Sequence, residues 1–266
     1  SMTSECLQLQ AINPNLCIKN DASYHDMYYM NPPAKDLSKI ASSDKVKKVQ
    51  KDFEATHVRP ERLMKTLFTD EAYVKANVDE ARLMRRLFDL ACNMQSHDTD
   101  MQLYSLFTDE ECYDLWSCNN LYWYLTHACS PVTDGLMPYR EADLLRNILD
   151  RADAALKEGK KQATLRFGHE SCLLPLVALL ELNHYGESYP DVEKLSEQWR
   201  AYDIFPMASN VQFVFFHKKG SNDVLVKVLL NEKETKLPVK TDVAPYYHWK
   251  DVESYYREKL DKYQHI

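Results

Sequence analysis

The segment Arg166-Phe167-Gly168-His169-Glu170 brings a guanidinium, an imidazole and a carboxylic acid into one short stretch. The residues before it, Ala163-Thr164-Leu165-Arg166-Phe167, alternate and predict a short strand. The residues after it, Cys172 to Leu182, are almost wholly apolar and predict a helix. Gly168 suits a tight exit from the strand, because glycine has no Cβ to clash. His169 and Glu170 then stand at the N-terminus of the helix, where free backbone N–H groups and the helix dipole favour an anion. A carboxylic acid beside a bound phosphate has its pKa raised by the anion and can act as a general acid. Cleavage of a phosphomonoester needs those parts: positive charge for the phosphoryl oxygens and a proton for the leaving alkoxide. On local physics alone, a plain helix cap and surface turn is the stronger reading of a lone His-Glu pair. Arg166 is open to two readings, a phosphate contact or a pairing with a carboxylate.

Other chemistry-bearing residues carry less. Arg59 and Arg62 lie at a predicted helix start and could reach a polyanionic substrate, although surface arginines are commoner. Asn210 reads as structural, and His25-Asp26 and His97-Asp98 read as capping or surface pairs. The basic run from Lys45 to Lys51 reads as the wet face of a helix. The seven cysteines are odd in number and contain no CxxC. Cys112, Cys118, His127 and Cys129 match no standard zinc spacing and fall in one helical stretch, so neither a metal nor a cofactor is expected. GxSxG, Walker and GxGxxG patterns are absent, which leaves serine-hydrolase, P-loop and dinucleotide readings without support.

The elements that must position these residues are mostly helical. Residues 1–35 read as a helix end and then an extended stretch, with the aromatic Asp26–Pro33 segment as a short buried strand or packed loop. From 36 to 160 nearly everything reads as helix: Ser43-Asp44 caps one helix through Ala55, Pro60 opens another, and Val78 to Ser96 is amphipathic. Thr108-Asp109-Glu110-Glu111 has the form of a capping box. The aromatic helix it starts runs to Pro131, and a further helix covers Pro138 to Lys157. After residue 160 come the predicted strand and apolar helix, a helix near Pro190–Arg200, a hairpin from Val211–His217 and Val224–Leu230, and a last helix after Pro245-Tyr246-Tyr247. The 266 residues carry a net charge of −7 and only 5 glycines. That balance argues against a nucleic-acid binder. No run reaches the roughly 20 apolar residues of a membrane span, and no signal peptide is visible.

Several segments together resemble the histidine acid phosphatases. The stretch Leu165-Arg166-Phe167-Gly168-His169-Glu170-Ser171-Cys172-Leu173-Leu174-Pro175-Leu176 looks like their second catalytic motif, and is most similar to the multiple inositol polyphosphate phosphatase branch, which includes phytases. Asp26–Met30, Leu115-Trp116 with Asn120 and Trp123-Tyr124, Pro206–Gln212, Val224–Glu232 and Pro245–Tyr247 resemble the same branch, in the same order. The resemblance implies an α/β fold: a histidine-phosphatase-like α/β domain, incomplete here, with a large helical cap domain. Residues 1–35 and 161–266 would belong to the α/β domain and 36–160 to the cap. It also implies hydrolysis of inositol polyphosphates such as phytate, or of other phosphomonoesters, through a phosphohistidine formed on an N-terminal RHGxRxP motif. His169 would be the second phosphate-binding histidine and Glu170 the proton donor. Arg166, Arg59 and Arg62 are candidate substrate contacts.

Two departures from the family pattern stand out. RHGxRxP occurs nowhere in these 266 residues. The nucleophile is therefore expected from a separate N-terminal segment, and this chain alone is expected to be inactive, with unpaired sheet edges that favour aggregation. The branch usually reads HAE, whereas here the acid directly follows the histidine, as in the HD arrangement of other histidine phosphatases. Export to a periplasm, cell surface or secretory lumen is implied by the resemblance alone. The competing reading is a non-catalytic anion-binding or interaction module, a degenerate phosphatase; a helical scaffold without ligand is disfavoured by the strand–Gly-His-Glu–helix unit.

Overall fold

The computed structural model describes residues 1–22, 24–30 and 34–263. Helices dominate: α1 (Met2–Ile12), α2 (Met27–Met30), α3 (Lys35–Ala41), α4 (Asp44–His57), α5 (Glu61–Leu67), α6 (Glu71–Asn77), α7 (Glu80–Asn93), α8 (Asp109–His127), α9 (Ala142–Glu158) and α10 (Glu170–Leu179). Two short helices follow, α11 (Leu195–Gln198) and α12 (Ala201–Ile204). Strands β1 (Val211–His217), β2 (Val224–Leu230), β3 (Lys233–Glu234) and β4 (Tyr247–His248) then precede α13 (Trp249–Lys262).

Local chemistry explains where the helices begin. Ser43 Oγ accepts the Val46 N–H, Asp70 caps α6 through the Tyr73 N–H, and Asp79 caps α7 through the Arg82 N–H. These contacts satisfy donors that a helix start leaves free. The capping box expected at Thr108 is present in both directions: its hydroxyl accepts the Glu111 N–H at 3.2 Å and its own N–H donates to Glu111 Oε2 at 2.9 Å. Gly159 ends α9 at φ 65°, a left-handed cap that suits glycine.

Two apolar cores result. The larger gathers Tyr29, Val46 and Phe53 with Leu121, Tyr124, Leu125, Leu145, Leu149, most of α10, the inner face of β2, and Val252, Tyr256 and Leu260 of α13. The smaller joins Leu63 and Met64 of α5, Val74 of α6, Met84 and Ala91 of α7, Phe107 and Leu115. The larger core therefore draws on residues from before 36, between 36 and 160, and after 160. The predicted hairpin forms in register, from Val211 opposite Leu230 to His217 opposite Val224. The far edge of β2 pairs with β3 at one end and β4 at the other.

Some expectations are corrected. Ala163–Phe167 forms no strand, because no described strand lies alongside to complete its ladder; Leu165 and Phe167 are exposed. The expected strand–turn–helix unit is thus an irregular segment leading into a helix. Met27–Met30 is a single helical turn with Tyr29 buried, not a strand, since its backbone groups are satisfied locally. The prolines expected to stop it, Pro32 and Pro33, lie outside the described residues. The aromatic helix ends at His127, before Pro131, and the next begins as a 3₁₀ turn over Met137–Glu141. The region near Pro190–Arg200 holds only a 3₁₀ turn and α11. No described helix is long and apolar enough to cross a membrane.

Candidate active site

His169 is the N-cap of α10, with φ −112° and ψ 167°. Its carbonyl accepts the N–H groups of Cys172 at 3.0 Å and Leu173 at 3.1 Å, which starts the helix. The His169 and Glu170 side chains are exposed, and neither is engaged by another described residue. The N–H groups of Glu170 and Ser171 take no partner among the described residues and stand beside an imidazole and a carboxyl, an arrangement that suits an anion. Pro175 inside the helix supplies no N–H to close the turn above Ser171. Cys172 anchors this end: its thiol donates to the Met30 carbonyl at 3.4 Å, and burial pushes its pKa up.

Gly168 does not have the steric role the sequence suggested. Its φ lies outside the left-handed region, and an added Cβ would sit 3.7 Å from Met30 Cε and 3.9 Å from Cys172 Cβ, both ordinary contacts. Gly186, past the other end of α10, is the glycine that packing demands: a Cβ there would fall 2.5 Å from Glu181 Cγ and 2.9 Å from its Cα.

Arg166 is half-buried just ahead of His169. One terminal nitrogen donates to Asn147 Oδ1 of α9 at 2.6 Å. Its Nε is buried with no partner among the described residues. Burial lowers its pKa, and the Tyr29 phenol stands beside it, itself hydrogen-bonded to Asp26. Burial first, and Asp26 second, raise the Tyr29 pKa. Arg166 thus meets an amide and a phenol, with a carboxylate one step behind. Tyr29 and Asn147 went unread in the sequence because nothing local marks a contact between such distant positions. Arg151, also of α9, adds a second positive charge near Arg166.

Arg59 and Arg62 are placed elsewhere. Arg59, just ahead of α5, bonds to Glu110 and Asp114, and Arg62 of α5 to Glu111 and the Leu106 carbonyl, so the two tie the start of α8 to α5 and the residues leading into it. Asn210 donates to Glu232 Oε1 at 2.6 Å and receives Gln212 Nε2 at 2.9 Å, a structural role at the base of the hairpin.

The 3₁₀ turn Met137–Glu141 packs along α10 and buries Glu141, whose carboxyl is pushed up to about 8 by burial while Arg140 pulls it down. A cavity of about 550 Å³ opens at the opposite end of α10, lined in part by Cys129, Tyr139, Glu181, Ser188 and Lys259.

The comparisons with known proteins bear on this geometry. The family model for the histidine phosphatase superfamily (branch 2) matches residues 16–231, a span that includes Arg166, His169 and Glu170. Human multiple inositol polyphosphate phosphatase 1 is 28% identical over 134 residues, covering 46% of this chain and 27% of that protein. Among solved structures, the multiple inositol polyphosphate phosphatase of Bifidobacterium longum is similar in complex with phosphate (TM-score 0.58, 19% identity, 93% of this chain and 61% of that one). Its complex with inositol hexasulfate is similar too (TM-score 0.53, 18% identity, 91% and 59%). The chain spans less than two-thirds of the length of these relatives. The likeness shows the fold, a histidine-phosphatase-like α/β architecture with large helical content and a small sheet. With the family match running across most of its length, the chain belongs to the histidine phosphatase superfamily, branch 2.

Proposed function

We propose that the protein hydrolyses phosphomonoesters of inositol polyphosphates, phytate included, through a phosphohistidine intermediate. This chain supplies the proton-donor half of the site. The observation that carries the reading is the open N-terminus of α10, where His169 and Glu170 stand unengaged within a segment matched by the family. An attacking histidine from an RHGxRxP segment outside these 266 residues forms the N–P bond as the P–O bond to inositol breaks. Glu170 gives its proton to the departing oxygen. Water then cleaves the N–P bond, and Glu170 takes a proton from that water. His169 and the first N–H groups of α10 hold the phosphoryl oxygens during both steps.

Arg166 completes the phosphate contacts: it is desolvated, its Nε has no partner among the described residues, and it is held by a neutral amide and a phenol instead of directly by a carboxylate. Arg59 and Arg62 would reach substrate only by giving up their carboxylates, so we assign them to holding the helical block. The helical residues 36–160 act as the cap over the site. The segment 163–167 receives a strand partner from the nucleophile-bearing segment, which also shields the exposed Leu165 and Phe167. Export to a periplasm, cell surface or secretory lumen rests on the family resemblance alone.

The test is phosphate release from inositol hexakisphosphate at mildly acidic pH, by this chain alone and by the chain co-expressed with its upstream RHGxRxP segment. Release is expected only on complementation, and Glu170→Gln should slow it about 10²–10⁴-fold. Release by the chain alone would sink the split-site mechanism. A folded, complemented protein that binds phosphate without releasing it would point to an anion-binding module.

A further inference from the structure

At the turn end of the hairpin, one histidine stands between two carboxylates. His248, in β4 and capping α13, has Nδ1 at 3.0 Å from both oxygens of Asp223 and Nε2 at 2.9 Å from Oδ1 of Asp242. Asp223 closes the turn between β1 and β2, and Asp242 lies in the segment leading into β4. A neutral imidazole carries one N–H and one lone pair. It can therefore satisfy one of these carboxylates while turning its lone pair toward the other. Both are satisfied only when both ring nitrogens carry protons.

Asp223 and Asp242 are the charged groups that act on His248, and their hydrogen bonds raise its pKa above 6.5. Other charged groups on neighbouring elements are committed or set apart. On β2, Lys227 pairs with Glu234 at 3.0 Å and lies over the Tyr246 ring. In the hairpin turn, His217 bonds to the Ser221 carbonyl at 2.7 Å, and Lys218 and Lys219 are exposed. In α13, Lys250 is exposed and Asp251 lies in the first turn.

We propose that His248 is a pH-dependent latch: as the imidazolium it ties the 218–223 turn and the 238–246 segment to the start of α13, and on losing a proton it lets one arm go. The arm that leaves is Asp242, whose side chain is 84% exposed. The arm that stays is Asp223, 54% exposed and bracketing Nδ1 with both oxygens. Thr241 Oγ1, which donates to the Tyr246 carbonyl at 2.7 Å, closes the freed segment on itself, while the Tyr246 ring stays edge-on to Phe216 at 5.1 Å as its hinge on the hairpin. Because folding raises the His248 pKa, the latch is fully closed below 6.5 and opens as pH rises through the raised value. The device stands independently of the hydrolase reading, since it uses none of the residues around α10.

The test is limited proteolysis of the full-length protein at about pH 5.5 and about pH 8.5. Cleavage within 238–246 is measured relative to cleavage within the 97–103 segment, which cancels the pH dependence of the protease. The ratio should rise several-fold at the higher pH in the wild type. In His248→Gln and in Asp242→Asn it should be high at both. A constant wild-type ratio, or a rise that persists in His248→Gln, overturns the latch. Nitrogen-15 NMR of the wild-type imidazole gives a second reading that needs no variant: a His248 titration at or below 6.5 overturns it as well.

Discussion

The two ends of α10 come from one short apolar stretch and sit in opposite surroundings. At the C-terminal end, Val177, Ala178, Leu179, Leu180 and Leu182 are buried in the main core. The carbonyls that a helix end leaves free are taken by α13: the Tyr256 hydroxyl donates to Leu180 at 2.7 Å and the Lys259 ammonium to Leu179 at 2.7 Å. At the N-terminal end, residues 167–170 are exposed and no side chain caps the free N–H groups. A helix fixed by its buried end can present open donors at the other without fraying. That division lets the proposed anion-binding terminus be both exposed and rigid. Substitutions at the buried end should therefore cost stability, and those at the open end should cost activity.

Glu141 tests the middle of this picture and should show the largest effect. The Met137–Glu141 turn packs against α10, and the Glu141 side chain is only 3% exposed. Folding raises its pKa from 4.5 to about 8, so the folded state favours the protonated carboxyl. Its contribution is fully present below pH 4.5 and is lost as pH rises toward 8. At about 1.4 kcal/mol per pH unit the loss is on the order of 5 kcal/mol. Glu141→Gln cannot ionise. Urea unfolding of both proteins across this range should show the variant gaining on the wild type as pH rises. His127, whose pKa burial lowers to about 4, gives an opposing slope that cancels in the difference between the two proteins. Parallel curves would mean that Glu141 is solvated and that α10 is less firmly packed than described.

What the sequence revealed follows from the range of the interactions. The capping box at Thr108, the Ser43 cap and the hairpin with its turn at 218–223 depend on local patterns of residues, and each formed as expected. The placement of His169 and Glu170 at a helix start was equally local. The strand at 163–167 failed because a ladder needs a partner that periodicity cannot supply. The role of Gly168 was misjudged because a glycine's necessity depends on what its missing Cβ would touch, which made Gly186 the constrained one. Arg166 resting on Asn147 and Tyr29, and the burial of Glu141 between two other charged residues of its stretch, Arg140 and Asp143, are tertiary facts with no local signature.

Leu182→Ala breaks the buried end directly. Its side chain is fully buried in the main core, and its N–H closes the helix end on the Val177 carbonyl at 3.2 Å. Truncation removes the transfer energy of the lost carbons and leaves a cavity, about 2–5 kcal/mol together. Glu170→Gln, exposed and unengaged, should change stability by less than about 0.5 kcal/mol while reducing turnover in the complemented protein. Equal losses of stability from the two variants would erase the contrast between the ends.

Tyr256→Phe asks whether the pin at Leu180 is a hydrogen bond or packing alone. The ring is fully buried and the substitution keeps its volume, so no cavity forms. What disappears is the donor to the Leu180 carbonyl, which then lies buried without its partner. That costs about 1–3 kcal/mol. A lowered urea midpoint at an unchanged slope would assign the loss to this bond and not to a looser native state. His169→Ala is the matching change at the open end, where the histidine caps through its backbone and its ring is exposed. It should leave the midpoint within about 0.5 kcal/mol of wild type. If Tyr256→Phe is as silent as His169→Ala, the C-terminal end is held by apolar burial alone, and Lys259 at the neighbouring carbonyl becomes the remaining polar anchor to remove.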